Sequence, residues 1–99
     1  MKLLGSKRSP FAFKVMVMIA EKGLDCAIEA AAPSSEEVAE VSPLSKVPVL
    51  IRDDGKALYD SSVIVDYLDG LTPNPKLIPK SFEDRIEVKR CEALCDGIM

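Results

Sequence analysis

The chain has 99 residues, which is enough for one small domain and too few for two. Its formal net charge of -3 argues against nucleic-acid binding, because contacts to phosphate need a basic surface. Histidine is absent, which excludes Ser-His and Cys-His nucleophiles and any histidine metal site within the chain, and no apolar run approaches the ~18 residues that span a membrane.

The cysteines indicate a reducing compartment. Cys26, Cys91 and Cys95 form no C-x-x-C pair, and an odd number suits a disulfide framework poorly. The apolar start of the chain is too short for a signal peptide, so a cytoplasmic protein without a metal site is expected. Cys91 and Cys95 would share one face of a helix, and we interpret them as ordinary packed or half-exposed thiols.

The first part of the chain predicts a strand, a helix and a second strand. Residues 2–5 are short and apolar and predict the first strand. Ser9 followed by Pro10 is typical of an N-cap with proline at the first helical position, and Gly23 is a natural end for that helix. Residues 25–31 predict the second strand.

The middle of the chain predicts a short helix, a hairpin and a third helix. Serines followed by acids at 33–37 suit a helix start, where the dipole favours negative charge. Residues 47–51 are rich in β-formers, and the Asp-Asp-Gly-Lys turn at 53–56 predicts a hairpin with residues 57–59. The serines at 61–62 are expected to cap the next helix.

The predicted order is β-α-β-α-β-β-α, which defines an α/β fold. A helix joins the first two strands, so they should be parallel with a right-handed crossover, whereas the last two form an antiparallel hairpin. A mixed four-stranded sheet with helices on both faces follows, which is the thioredoxin-like arrangement.

The composition of the sequence changes after Gly70. Three prolines between residues 71 and 79 predict a linker, and a new helix begins at Ser81. That helix carries a broad apolar stripe, formed by Phe82, Ile86, Leu94 and Ile98. The stripe has little left in the chain to pack against, so we expect a truncated chain.

Three groups of residues form motifs in a fixed order. They are Leu3-Leu4-Gly5 with Ser9-Pro10-Phe11 and Ala20-Glu21-Lys22-Gly23, then Pro43 with Lys46-Val47-Pro48-Val49-Leu50, and then the segment from Leu58 to Leu68. Together they resemble the serine-type cytosolic glutathione transferases, including the plant tau class and related bacterial enzymes. The resemblance implies a thioredoxin-like glutathione-binding domain over residues 1–75, and over residues 76–99 the linker and first helix of a truncated all-helical domain.

The resemblance also implies a function. The protein would bind glutathione as a co-substrate, stabilise its thiolate through the catalytic Ser9, and conjugate it to an electrophilic small molecule in detoxification. No nucleic acid, membrane or metal is implied, and the full-length protein would be a homodimer. The implied glutathione-binding residues are Ser9, Pro10, Lys46, Val47, Pro48, Asp60 and Ser61.

The chemistry expected at Ser9 agrees with this role. Ser9 stands where a strand leads into a helix N-terminus, whose unpaired N–H groups and dipole favour an anion. A thiol bound there would have its pKa lowered, and the serine hydroxyl can donate a hydrogen bond to the thiolate. The alternative is that Ser9 is only an N-cap.

The resemblance assigns the other parts of glutathione to two further segments of the chain. In the family the proline at Pro48 is cis, which exposes the backbone of Val47 to an extended ligand; the alternative is a trans proline at the start of a strand. Asp60 would meet the γ-glutamyl ammonium, although the family usually has glutamate there, and Ser61 would meet the γ-glutamyl carboxylate. The alternative is that Asp60, Ser61 and Ser62 merely cap a helix. Lys46 would meet the glycyl carboxylate unless it is simply solvated.

Two other functional classes are open to this fold. Thioredoxin-like oxidoreductases carry cysteine where Ser9 stands, often with a second one three residues later, and Ala12 occupies that position here. Disulfide exchange through this site is therefore excluded. The second class is a non-catalytic transferase-like module for protein association or glutathione binding, as in some translation and stress proteins. The intact motifs favour the enzyme.

Overall fold

A four-stranded sheet and four helices make up the described structure. The computed structural model describes residues 1–6, 8–33, 35–73 and 76–98. Its elements are β1 (Lys2–Gly5), α1 (Pro10–Lys22), β2 (Ala27–Ala30), α2 (Glu36–Val41), β3 (Val49–Ile51), β4 (Ala57–Leu58), α3 (Ser61–Leu71) and α4 (Phe82–Ile98). Four residues that entered the predictions lie outside the described residues: Ser34 in the second helix start, Asn74 and Pro75 in the linker, and Met99 at the end.

The sheet has the predicted mixed topology. Its strand order is β2-β1-β3-β4, with β1 parallel to β2 and both other pairs antiparallel. Successive side chains of a strand point to opposite faces, and β1 shows this directly. Leu3 packs with Val15 of α1 and Ile64 of α3, whereas Leu4 packs with Val38 of α2. Helices therefore cover both faces, which confirms the thioredoxin-like α/β fold.

Three strands are shorter than the sequence predicts. The ladder between β1 and β2 is limited by the four residues of β1, so pairing covers only 27–30 of the predicted 25–31. β3 begins at Val49 rather than at residue 47, because Pro48 has no N–H to donate to a ladder. β4 ends at Leu58, one residue before the predicted end.

The predicted linker is irregular at its described residues 72–73 and 76–79, although Leu71 still belongs to α3, and it is tied to α1 and α3. Asp69 in the last turn of α3 accepts hydrogen bonds from the N–H groups of Leu77, at 2.8 Å, and Ile78, at 2.9 Å. Its carboxylate also lies 3.0 Å from the ammonium groups of Lys22 and Lys76. Burial alone would raise the pKa of Asp69, but these donors outweigh it and hold that pKa well below its ordinary value.

Helix α4 is joined to α1 and α3 by ion pairs on its polar face. Its residues Arg85 and Lys89 pair with Asp66 of α3, and its residues Glu92 and Asp96 pair with Lys14 of α1. The spacing of these four residues is that of one helix face. The predicted apolar stripe consequently points away, with Phe82, Ile86, Leu94 and Ile98 all exposed. Among the described helices, none combines the length and hydrophobicity that crossing a bilayer would need.

Candidate functional site

Three of the predicted site segments meet at one end of the sheet. β1 and β4 run in the same direction because each is antiparallel to β3, and each is followed by a helix on the same face. The N-termini of α1 and α3 therefore lie beyond the same end of the sheet. The first residue of β3, Val49, pairs with Leu4 near the end of β1, so the segment at 46–48 reaches this end as well.

Ser9 is the N-cap of α1. Its backbone is extended, with φ -88° and ψ 118°, and its Oγ accepts a hydrogen bond from the N–H of Ala12 at 3.3 Å. Capping uses a lone pair of the hydroxyl oxygen and leaves the O–H proton available as a donor. The cap interpretation of Ser9 is therefore confirmed, and it is compatible with a second role toward an anion. Pro10 follows at the first position of the helix, as predicted.

Gly5 determines how closely α1 approaches the sheet. A Cβ built on Gly5 would lie 2.9 Å from the Cβ of Ala12 and 3.9 Å from the Cα of Pro48. Real Cβ atoms do not approach one another that closely, so only glycine leaves room for the first turn of α1 beside the segment that contains Pro48. This contact holds Ser9 near the 46–48 segment.

The segment before β3 has the geometry that the family resemblance implies. The peptide bond between Val47 and Pro48 is cis. Pro48 is buried, Val47 is half-buried, and Lys46 is exposed. Val47 lies before the first ladder pair, Leu4 with Val49, so it stands beyond the antiparallel pairing of β1 and β3.

The start of α3 differs from the prediction. The N-cap is Asp60, whose Oδ1 accepts from the N–H of Ser62 at 3.0 Å, and Ser61 is the first helical residue. The prediction that Ser61 and Ser62 cap this helix is therefore wrong, and of the three residues named in the capping alternative Asp60 is the N-cap. Aspartate caps as well as serine does, so local sequence cannot choose among three adjacent candidates. Asp60 is exposed, whereas Ser61 is only 4% exposed. The peptide bond between Tyr59 and Asp60 is also cis.

Helix α4 closes a cleft beside the start of α1, which the sequence does not predict. The cleft has a volume of about 460 Å³ and is lined by Pro10, Phe13, Lys14, Cys91, Glu92, Cys95 and Asp96. One of its lining residues, Pro10, directly follows Ser9. The only sequence signal is the one-turn spacing of Cys91 with Cys95, because the docking of α4 on α1 depends on tertiary ion pairs.

The charged side chains that line this cleft are ion-paired, one lysine with two carboxylates. Lys14 Nζ lies 2.8 Å from Glu92 Oε2 and 3.1 Å from Asp96 Oδ2. Burial would raise the pKa of Glu92, but hydrogen bonds from Lys14 and Lys89 lower it overall. Within the described residues, no group of three or more His, Cys, Asp or Glu side chains is arranged to hold a metal ion.

Comparison with known proteins gives one consistent family. Residues 3–76 match the model of the glutathione S-transferase N-terminal domain. The chain is 37% identical to the GST-like protein YibF of Escherichia coli, over 100% of the chain and 50% of that protein. It is 33% identical to a stringent starvation protein A homolog of Haemophilus ducreyi, over 80% of the chain and 37% of that protein.

Solved structures agree with the sequence relatives. A glutathione S-transferase from Methylobacillus flagellatus with glutathione bound superposes with a TM-score of 0.92 and 49% identity, over 98% of the chain and 49% of that structure. A glutathione transferase family member from Pseudomonas fluorescens Pf-5, also with bound glutathione, gives a TM-score of 0.92 and 37% identity, over 98% of the chain and 50% of that structure. The chain thus spans about half the length of these proteins.

Proposed function

Since the chain belongs to the glutathione S-transferase family, we propose that it binds glutathione at the end of the sheet where Ser9, Val47 and Asp60 meet. The full protein would then transfer the bound thiol to an electrophilic small molecule. The observation that most supports this proposal is the meeting of two helix N-termini at that end, because both favour an anionic ligand.

Ser9 is the proposed catalytic residue of a serine-type enzyme. Its hydroxyl would donate to the glutathione sulfur while its oxygen continues to cap α1 through Ala12. A hydrogen bond to the charged form of a group lowers its pKa, so the bound thiol would ionise more readily than in water. The nucleophile belongs to the ligand, which is why a chain without histidine can carry the reaction.

The remaining contacts follow the length of the tripeptide. The backbone of Val47, beside Pro48, would pair with the cysteinyl part as an added strand does, and the exposed Lys46 would meet the glycyl carboxylate. Asp60 uses Oδ1 for its cap, which leaves Oδ2 for the γ-glutamyl ammonium. The burial of Ser61 favours its backbone N–H, at the start of α3, as the donor to the γ-glutamyl carboxylate.

The organisation of the full protein is part of the same proposal. Residues 1–75 would form the glutathione-binding domain, and residues 76–99 the linker and first helix of a helical domain. The exposed apolar stripe of α4 supports a covering domain, and a homodimer would follow from the family. The cysteines, which form no disulfide among the described residues, support a cytoplasmic location.

Isothermal titration tests the binding proposal. Glutathione should bind more tightly than cysteinylglycine, which lacks the γ-glutamyl group and cannot contact Asp60 or Ser61. Equal affinity for the two peptides would remove the role proposed for these residues.

A non-catalytic module is the second candidate, and one relative favours it. The Haemophilus ducreyi protein, at 33% identity, is named as a stringent starvation protein A homolog rather than as a transferase. Glutathione conjugation to chlorodinitrobenzene by the full protein separates the two candidates. Binding of glutathione without any conjugation, over a range of electrophiles, would favour the module.

A further inference from the structure

The cleft between α1 and α4 carries two thiols in addition to its apolar wall. Cys91 and Cys95 both line it, and both side chains are exposed. Residues four apart on a helix lie one above the other on the same face, so the two sulfurs form a pair rather than two separate sites. The third cysteine, Cys26, is half-buried against the core and is not among the residues that line this cleft.

The two thiols are the reactive groups of the cleft, because its other residues are apolar or ion-paired. Lys14 pairs with both Glu92 and Asp96, and Glu92 also pairs with Lys89, so these side chains are held within the wall by ion pairs. Pro10 and Phe13 complete the wall and offer no acid, base or nucleophile. A ligand that enters the cleft therefore meets apolar surface and two thiols.

We propose that Cys91 and Cys95 form a thiol-disulfide exchange site for a glutathione disulfide whose first half is bound at Ser9. This inference rests on the proposed glutathione site. Pro10, directly after Ser9, lines the cleft, so the second half of a disulfide bound at Ser9 would lie within reach of the cleft. The disulfide of glutathione is the probe of this ligand class.

The exchange conserves atoms and electrons. The thiol of Cys91 or Cys95 loses its proton to solvent, and the thiolate attacks the sulfur of the second half. A mixed disulfide forms between the protein sulfur and the second half as the disulfide bond of the ligand breaks. The half at Ser9 leaves as a glutathione thiolate. The protein thiol is oxidised and the ligand is reduced. Ser9 would stabilise the leaving thiolate, which is the same contact proposed for the transferase reaction.

The two thiols share one cleft, which limits the number of adducts. A glutathionyl group on one sulfur would occupy the cleft that its neighbour, one turn away, also lines. We therefore expect one adduct per chain across the pair. Cys26 should react slowly in the folded protein, since burial raises the pKa of its thiol above the ordinary value.

Intact-mass spectrometry with peptide mapping tests the proposal on the longest natural form of the protein. The protein is treated with glutathione disulfide or with hydroxyethyl disulfide, folded and in urea. Binding at Ser9 should raise the preference for glutathione disulfide about tenfold in the folded protein relative to the unfolded one, because the bound disulfide is held beside the thiols. S-methylglutathione should abolish that preference by occupying the same site.

Variants assign the adduct and separate the two proposals. The double substitution Cys91→Ser with Cys95→Ser should lose the adduct that glutathione disulfide forms with the folded protein. The matched control Cys26→Ser should keep that adduct. Titration of the double variant with S-methylglutathione reports glutathione binding independently of the thiols. Binding without any preference for glutathione disulfide would overturn the exchange site alone, and the absence of binding would overturn the proposed function with it.

Discussion

Lys22 and Asp69 form a buried ion pair that joins the end of α1 to the end of α3. Lys22 Nζ lies 3.0 Å from Asp69 Oδ1, and the two side chains are 0% and 1% exposed. Lys22 also donates to the carbonyl oxygens of Asp69 and Thr72, while Asp69 accepts from the backbone of residues 77 and 78. The pair thus connects both helices with the start of the linker on which α4 depends.

The first prediction is that Asp69→Asn destabilises the protein strongly. The substitution keeps the shape but removes the charge that faces Lys22, and breaking one side of a buried pair costs about 3 kcal/mol or more. Urea unfolding followed by circular dichroism measures the change. Asp66→Asn is the matched control, because Asp66 is part-exposed and its pairs with Arg85 and Lys89 should contribute about 1 kcal/mol at most. Similar losses in the two variants would contradict the role given to Asp69.

The same carboxylate predicts how stability depends on pH. The folded-state pKa of Asp69 lies below its ordinary value, so its contribution is complete above the unfolded-state pKa of about 3.9. That contribution is lost as pH falls further, toward the folded-state pKa. The free energy of unfolding of the natural chain should therefore fall more steeply below about pH 4 than that of Asp69→Asn. Parallel curves for the two proteins would show that Asp69 does not titrate as described.

Local signals in the sequence account for most of the elements. Ser9 with Pro10, and Gly23 with φ 62°, begin and end α1 as predicted, because each acts through its own backbone geometry. The pairing of Lys22 with Asp69 cannot be predicted in this way, since the two are 47 positions apart in the sequence and neither stands in a local pattern. The packing of α4 cannot be predicted from local signals for a related reason. Its apolar stripe suggests the buried face, whereas tertiary ion pairs make the polar face the one that packs.

A third prediction concerns the room that Gly5 leaves for α1. Gly5→Ala brings its Cβ to 2.9 Å from Ala12, so the first turn of α1 must shift, and overpacking of this kind costs about 1–3 kcal/mol. Glutathione affinity should fall too, because Ser9 moves with that turn. Gly70→Ala is the matched control, since its Cβ would meet open space within α3 and alanine favours a helix. Calorimetric titration and thermal unfolding are measured for both variants. Losses confined to Gly5→Ala would assign them to the clash with Ala12, whereas equal losses in Gly70→Ala would contradict that cause.

A fourth prediction separates the cap at Ser9 from the proposed catalytic role. Ser9→Ala loses the hydrogen bond to Ala12, which should cost about 1 kcal/mol of stability. It should also raise the pKa of bound glutathione by about one to two units, because a hydrogen bond to a charged group contributes roughly 1.5–3 kcal/mol. Thiolate absorbance against pH, in the longest natural form, measures that pKa. Ser9→Thr keeps the hydroxyl and should keep both properties. An unchanged thiolate titration in Ser9→Ala would leave Ser9 as a cap and nothing more.

The last prediction concerns the apolar stripe of α4. Phe82 is 72% exposed and Ile98 is 77% exposed, because α4 packs on α1 and α3 through Lys14 and Asp66 instead. Monomers rarely leave a contiguous apolar surface in water, and burying such a side chain fully contributes about 1.5–3 kcal/mol. The 99-residue chain should therefore self-associate or be poorly soluble, and a longer natural form should be a dimer with the stripe covered.

Sedimentation equilibrium on the 99-residue chain and on the longer form tests this expectation. Phe82→Glu combined with Ile98→Glu should shift the short chain toward monomer, because charge opposes burial of that face. Leu44→Glu is the control: Leu44 is 55% exposed but lies in the loop before β3, so its substitution should leave self-association unchanged. A stable, monodisperse monomer of the short chain would show that the stripe tolerates water and needs no covering domain.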